Sequence, residues 1–220
     1  SELLADEPTI SFHVDAVQAL AKIPTEKYLT ERVDFATFSG HKFHGVRGVG
    51  FVYIKYGKKI IPLLTGGGQE RDYRSTTENV AGIAATAKAL RLSMEKLDIF
   101  TSETGQMKAV IRQALLDYPD IFVFSDEEEF TSHILTFGIK GVRGEVIVHA
   151  FEDYDIFIST TSACSSKAGK PAGTLIAMGV DKDKAQSAVR LSLDLENDMS
   201  QVEQFLTKLK LIYNQTRKVR

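Results

Sequence analysis

The chain has a single cysteine, Cys164, among its 220 residues. One thiol cannot close an internal disulfide, so packing must hold the fold and a reducing, cytoplasmic setting is expected. A lone cysteine is most often a small buried hydrophobe, so its neighbours must decide its role. Also missing is any apolar run approaching the roughly 20 residues that span a bilayer, and no membrane partner is expected. The opening Ser1-Glu2-Leu3-Leu4-Ala5-Asp6-Glu7 has no basic stretch leading into an apolar core, so it does not read as a signal peptide. Nor is there an excess of positive charge: 27 Lys and Arg stand against 29 Asp and Glu, a net charge of -2. Direct nucleic-acid binding is therefore not expected.

What is present suits a globular protein, with 43% hydrophobic and 25% charged residues. The length admits one large domain or two small ones. Ile10-Ser11-Phe12-His13-Val14-Asp15 alternates apolar and polar residues, the period of a half-buried strand, and runs into Ala16-Val17-Gln18, which could open a short helix. Asp34–Ser39 reads as a second strand ending at Gly40, and Gly48–Ile54 as a third, entered through glycines. From Asn79 the period changes: Val80, Ile83, Ala84, Ala87, Leu90 and Met94 recur at helical spacing up to about Leu97.

A second helix is expected over Thr104–Asp117, then strands near Ile121–Ser125 and His133–Gly138, and a helix near Gly144–Tyr154. A strand at Asp155–Ser159 leads into a small, polar segment around Cys164, and Ala188–Leu193 reads as one more strand. The last helix has Asp198 as N-cap with Gln201 as capping-box partner, and an apolar face of Val202, Phe205, Leu206, Leu209 and Ile212. Mixed strands and helices make the class α/β or α+β. There are no repeats, and a boundary is expected between about residues 66 and 80. The first strand has nothing upstream to supply the rest of a sheet, so the chain reads as a fragment of a larger domain.

Two groups of residues could carry chemistry. Asp15 ends a strand, where a buried carboxylate needs a partner. It could hold a protonated pyridine nitrogen, the partner that makes pyridoxal phosphate an electron sink; taken alone, a helix cap is the better reading. Ser39-Gly40-His41-Lys42 follows a strand, where Ser and His donors could hold a phosphate and Lys42 could react with an aldehyde. Taken alone, an ordinary polar turn is the better reading of that tetrapeptide. The order of parts shifts the balance: strand, Asp, Gln, strand, Ser-Gly-His-Lys, glycine-rich strand.

In that order, His13-Val14-Asp15-Ala16-Val17-Gln18 and Ser39-Gly40-His41-Lys42-Phe43-His44-Gly45 resemble the cofactor motifs of NifS/IscS-like cysteine desulfurases, in the class V aminotransferase group. Gly66–Thr77 resembles that family's glycine-rich stretch and Arg-Ser-Gly-Thr motif, Ser162–Ser166 its catalytic-cysteine loop, and Ala188–Leu193 its substrate-carboxylate strand. The resemblance implies an α/β fold of the pyridoxal-phosphate-dependent transferase type. Residues 1–78 would be the remainder of the large mixed-sheet domain, and 79–220 a small α+β C-terminal domain carrying the cysteine loop.

It further implies that Lys42 carries pyridoxal 5'-phosphate, Asp15 pairs with the pyridine nitrogen and Gln18 with the phenolic oxygen. Ser39 and His41 would bind the phosphate, and Thr77 would reach the phosphate of the other subunit of a homodimer. Arg190 would clamp the substrate carboxylate, a two-point task that suits a guanidinium. Cys164 would take sulfur from L-cysteine as a persulfide, leaving L-alanine, and pass it to an acceptor protein for iron–sulfur cluster assembly or tRNA thiolation. Among Ser, Thr, Ala and Lys167, Cys164 reads as an exposed, thiolate-prone residue rather than core, the alternative being an incidental surface thiol.

Two departures stand out. Arg74-Ser75-Thr76-Thr77 lacks the motif's glycine, and Leu193-Asp194-Leu195-Glu196-Asn197 replaces the usual pattern after the arginine. The family's N-terminal phosphate turn, ring-stacking histidine and asparagine have no counterpart, which implies that this chain alone binds cofactor weakly or not at all. His44, His133 and His149 show no metal-ligand spacing, and no metal is expected. Gly66-Gly67-Gly68 lacks the Lys-Ser/Thr of a P-loop. Asp126–Glu129 reads as a solvated acidic loop, and Lys208, Lys210, Arg217, Lys218 and Arg220 as a basic end suited to a helix C-terminus. The rivals are another class V enzyme, a selenocysteine lyase or an aminotransferase, and a non-catalytic module for dimerisation or docking.

Overall fold

The computed structural model describes residues 2–125, 130–160 and 173–218. They fall into two compact units, Ser1–Ile99 and Phe100–Arg220. The sequence draws the division at 78/79, whereas contacts group helix α1 (Val80–Glu95) with the first unit. The reason is packing: Ala89 and Leu90 sit against that unit's core.

The first unit is built on strands β1 (His13–Asp15), β2 (Phe35–Ser39) and β3 (Gly50–Ile54), in that order. β1 and β2 are parallel, β2 and β3 antiparallel. β1 is shorter than its alternating pattern suggests, because Phe12 donates its N–H to the Asp34 carboxylate at 3.0 Å and its carbonyl accepts both Asp34 and Phe35 N–H. The expected helix after Asp15 is a turn instead. The Ala16 carbonyl accepts the N–H groups of Ala19 and Leu20, and Ala21 then adopts φ 58°, which a right-handed helix cannot continue.

Asp34 ties the three strands together. Its side chain is buried, accepts Arg32 and Lys58 at 3.1 Å each, and its carbonyl accepts Lys55 N–H beyond β3. The Phe12 N–H above all, then Lys58 and Arg32, hold its carboxyl down to about 2 from an ordinary 3.8. Along β2 the period of two sorts the faces: Ala36 and Phe38 are buried, with Val33, Phe43 and Leu20, while Phe35, Thr37 and Ser39 are half-buried on the other side.

α1 begins as its sequence indicates, with the Asn79 side chain accepting the Gly82 N–H at 3.0 Å. Its buried face is not the one the apolar spacing selects. Gly82 and Thr86 are buried, whereas Val80 and Ile83 are 71% and 43% exposed. Small residues let the helix approach the turn at Gly40, where a bulkier stripe would hold it away.

The second unit carries a four-stranded antiparallel sheet in the order β4 (Ile121–Val123), β5 (Ile134–Ile139), β7 (Ala188–Ser192), β6 (Ser159–Thr160). Helices α2 (Leu97–Leu116), α3 (Gly144–Glu152) and α6 (Met199–Lys218) supply its apolar cover. Leu135, Phe137, Val189, Ile147, Leu209 and Phe151 are fully buried, and the Phe151 ring stacks on Phe205 with centroids 5.0 Å apart. α6 buries Val202, Phe205, Leu209 and Ile212, as its spacing indicates. Its capping box closes in both directions, Gln201 N–H to Asp198 at 3.0 Å and Asp198 N–H to Gln201 at 3.3 Å.

The strand expected over Asp155–Ser159 shrinks to Ser159–Thr160. α3 ends in a reversal, with Asp155 at φ 57° and Ile156 N–H returning to the Phe151 carbonyl, so residues 155–158 pair with no strand among the described residues. Two short helices, α4 (Gly173–Ala177) and α5 (Lys182–Gln186), were not anticipated. α5 has a legible cap in Asp181, which accepts Asp183 and Lys184 N–H. Among the described residues no helix is long and apolar enough to cross a membrane.

Candidate functional site

The candidate residues of the first unit gather at one end of the parallel pair. Asp15 closes β1 and is registered beside Thr37 of β2, with Ser39 two residues further on. Neighbours in register, and residues two apart, share a sheet face, so His13, Asp15, Thr37 and Ser39 line the side opposite the core. His13 Nε2 lies 3.2 Å from Thr37 Oγ1. Outside the carboxyl ends of parallel strands is where open α/β sheets bind ligands.

Asp15 is exposed, and its Oδ1 accepts the Val17 N–H at 3.1 Å. The bond turns the backbone out of the sheet, together with Ala16 N–H to the Thr37 carbonyl at 3.1 Å. Asp15 is therefore a turn-forming carboxylate and caps no helix. Gln18 follows on that turn, exposed.

Ser39 ends β2 in extended conformation and opens the four-residue 3-10 turn Gly40–Phe43, from which its side chain accepts no capping N–H. His41 is exposed and Lys42 half-buried. The turn closes at His44, whose φ of 65° is left-handed, and Gly45 N–H returns to the Gly40 carbonyl at 2.9 Å. Beneath it, Phe43 is buried and meets Phe51 edge-on. Lys42 thus sits on a turn anchored on both sides. Thr77 is exposed, two residues before the Asn79 cap.

The second unit holds Arg190 in the middle of β7, registered with Thr136 of β5 and Ser159 of β6. The residue is half-buried, and its Nε is buried with no hydrogen-bond partner among the described residues. A guanidinium with an unused buried donor suits a carboxylate ligand. Cys164, Lys167 and the Asp126–Glu129 acidic stretch lie outside the described residues.

Sequence reasoning missed Thr37, which lies between Asp15 and Ser39 on the exposed face. The signal was available, since Thr37 falls on the period-two positions of β2. It also missed Asp34, two of whose three cationic or N–H partners, Phe12 and Lys58, are distant in sequence.

The donor set fits pyridoxal phosphate. A carboxylate, a hydroxyl not used by its own turn, an imidazole and a primary amine stand at the ends of two neighbouring strands and on the turn that follows. When bound, that group delocalises the electron pair left at a substrate α-carbon.

Residues 2–205 match the family model described as aminotransferase class-V. The whole chain is 47% identical to a NifS/IcsS protein homolog of Lactobacillus delbrueckii subsp. bulgaricus, covering 57% of that protein. Over 98% of the chain it is 34% identical to the cysteine desulfurase IscS of Clostridium botulinum, 55% of whose length is covered. Among solved structures, a NifS-like protein matches 96% of the chain at TM-score 0.85 and 34% identity, over 55% of its own length. A NifS-like protein from Rickettsia africae matches 93% of the chain at TM-score 0.81 and 28% identity, over 54% of its length. The chain spans about half the length of the curated relatives it matches. With a single family model running through both units and the candidate site, the chain belongs to the class V aminotransferase family.

Proposed function

We propose that the whole protein is a cysteine desulfurase, converting L-cysteine to L-alanine and transferring its sulfur to Cys164. The observation that carries this reading is the shared face: Asp15, Thr37 and Ser39 lie on one side of β1 and β2, with Lys42 on the turn that follows. The 47% and 34% identities to NifS and IscS relatives add to it.

In this reading the Lys42 amine carries pyridoxal phosphate and, once the substrate has displaced it, takes the proton from the substrate α-carbon. Asp15 keeps the ring nitrogen protonated, and Gln18 holds the phenolic oxygen. Ser39 and His41 bind the phosphate, and Thr77 serves the second subunit's phosphate. Arg190 Nε and its neighbouring amines fix the substrate carboxylate. The Cys164 thiolate attacks the substrate sulfur; a sulfur–sulfur bond forms, the carbon–sulfur bond breaks, and its electron pair returns with a proton to the carbon that becomes alanine. The persulfide passes to an acceptor protein for iron–sulfur clusters or tRNA thiolation. Because this requires a reduced thiol, a cytoplasmic setting belongs to the same reading.

A homodimer is part of the proposal, and the exposure of Val80 and Ile83 along α1 favours a face that an assembly covers. The division into the end of a large cofactor domain, 1–78, and a small domain, 79–220, is proposed with it.

The test is the whole protein with L-cysteine, following alanine and the mass of the Cys164 peptide. Alanine in step with a 32 Da gain on that peptide is expected. Alanine formed at an unchanged rate by Cys164→Ala would instead mark a lyase of the same family, and conversion of L-cysteine to its keto acid with the sulfur retained would mark an aminotransferase.

A further inference from the structure

The turn that bears Lys42 is held from outside the sheet by α1. At its start, Gly40 N–H donates to the Val49 carbonyl at 2.9 Å, and a Cβ at Gly40 would lie 2.8 Å from Thr86 Cγ2 and 3.0 Å from its Oγ1. The Thr86 side chain and the Val49 carbonyl therefore occupy the space a side chain would need. At the other end, Ser93 donates its hydroxyl to the Phe43 carbonyl at 3.2 Å. The two contacts come seven residues apart on α1, two turns of one helical face, and bracket His41 and Lys42.

Thr86 is buried, and its Oγ1 has no hydrogen-bond partner among the described residues. A chain that needed only volume at this place would gain by valine, which has the same shape and no polar atom to desolvate. Ser93 is a half-buried polar residue one turn beyond Ala89 and Leu90, which pack on the first unit's core. Neither feature is explained by core packing. Both residues instead meet the turn, Thr86 by its close contact at Gly40 and Ser93 by its hydrogen bond to the Phe43 carbonyl.

We propose that Thr86 and Ser93 are positioning residues for Lys42, fixing from α1 the turn on which its amine is presented. The inference rests on the reading of Lys42 as the cofactor-bearing amine. Its test needs no cofactor, so the two can fail separately.

The experiment uses the full chain with Ser93→Ala, Ser93→Thr and Thr86→Ala. Two quantities are read by mass spectrometry: hydrogen exchange of the peptide containing Gly40–Gly45, and the rate of reductive methylation of Lys42 relative to exposed Lys59. Ser93→Ala should speed exchange of the turn by about tenfold, the factor for one ordinary hydrogen bond lost. The Lys42 methylation rate should rise towards that of Lys59, while exchange in the β5–β7 sheet stays at its original rate. Ser93→Thr, which keeps the hydroxyl, should restore both, and Thr86→Ala should move both in the same direction as Ser93→Ala. Lys42 reactivity unchanged in both alanine variants would overturn the proposal, as would loosening of the turn only in step with the β5–β7 sheet. If Lys42 proves not to carry pyridoxal phosphate, the methylation result still decides whether α1 positions it.

Discussion

Asp15 and Thr37 stand side by side in the parallel register of β1 and β2, so the carboxylate that ends one strand shares a sheet face with Ser39, which ends the other. The chain then turns at Gly40 to present His41 and Lys42. An acid, a hydroxyl, an imidazole and an amine are thereby set by two strand ends and one turn.

The buried carboxylate of Asp34 gives the fold an acid limit. Its pKa is about 2 in the folded chain against an ordinary 3.8, so folding favours the charged form. That stabilisation is fully present above pH 3.8 and is lost as pH falls towards 2. In urea unfolding at a series of pH values, Asp34→Asn should be less stable than the parent at pH 7. The difference should shrink between pH 4 and pH 2.

Phe151 is fully buried and stacked on Phe205 at the centre of the second unit. Phe151→Ala should cost about 3–5 kcal/mol, the usual range for emptying such a site. Chemical denaturation followed by circular dichroism measures it.

Asn79 accepts the Gly82 N–H at the start of α1. Asn79→Ala should destabilise the chain by about 1 kcal/mol, and Asn79→Asp should recover most of it. The same denaturation curves give both numbers.

Arg190 has an unused buried donor on Nε. Arg190→Lys keeps the charge and removes the two-point geometry, so kcat/KM for L-cysteine in the whole protein should fall by about tenfold or more. The visible band of the bound cofactor should be unchanged in an absorbance scan.

Local patterns in the sequence carried the helices with strong caps. Asp198 and Gln201 marked the start of α6, and Val202, Phe205, Leu209 and Ile212 marked its buried face, because capping and periodicity act within a few residues. The same period misled for α1. Val80 and Ile83 form its apolar stripe, yet the first unit's core takes Gly82 and Thr86, since the close approach of Gly40 favours small side chains there.

β6 was overextended because apolar residues 156–158 look like a strand, whereas the α3 reversal at Asp155 uses them to close a helix end. The candidate site was legible as an order of motifs: Asp15, then Ser39 to Lys42, then Arg190. What no local pattern could supply is Asp34, which Phe12 and Lys58 reach through contacts distant in sequence, beside its near neighbour Arg32.

The central claim is that Lys42 is the amine that holds the cofactor. The direct measurement is to add pyridoxal phosphate to the whole protein, reduce with borohydride, digest, and locate the added pyridoxyl mass by sequencing the peptides. The account predicts it on Lys42 and its loss in Lys42→Ala. A pyridoxyl group on another lysine, with Lys42 unmodified, would contradict it.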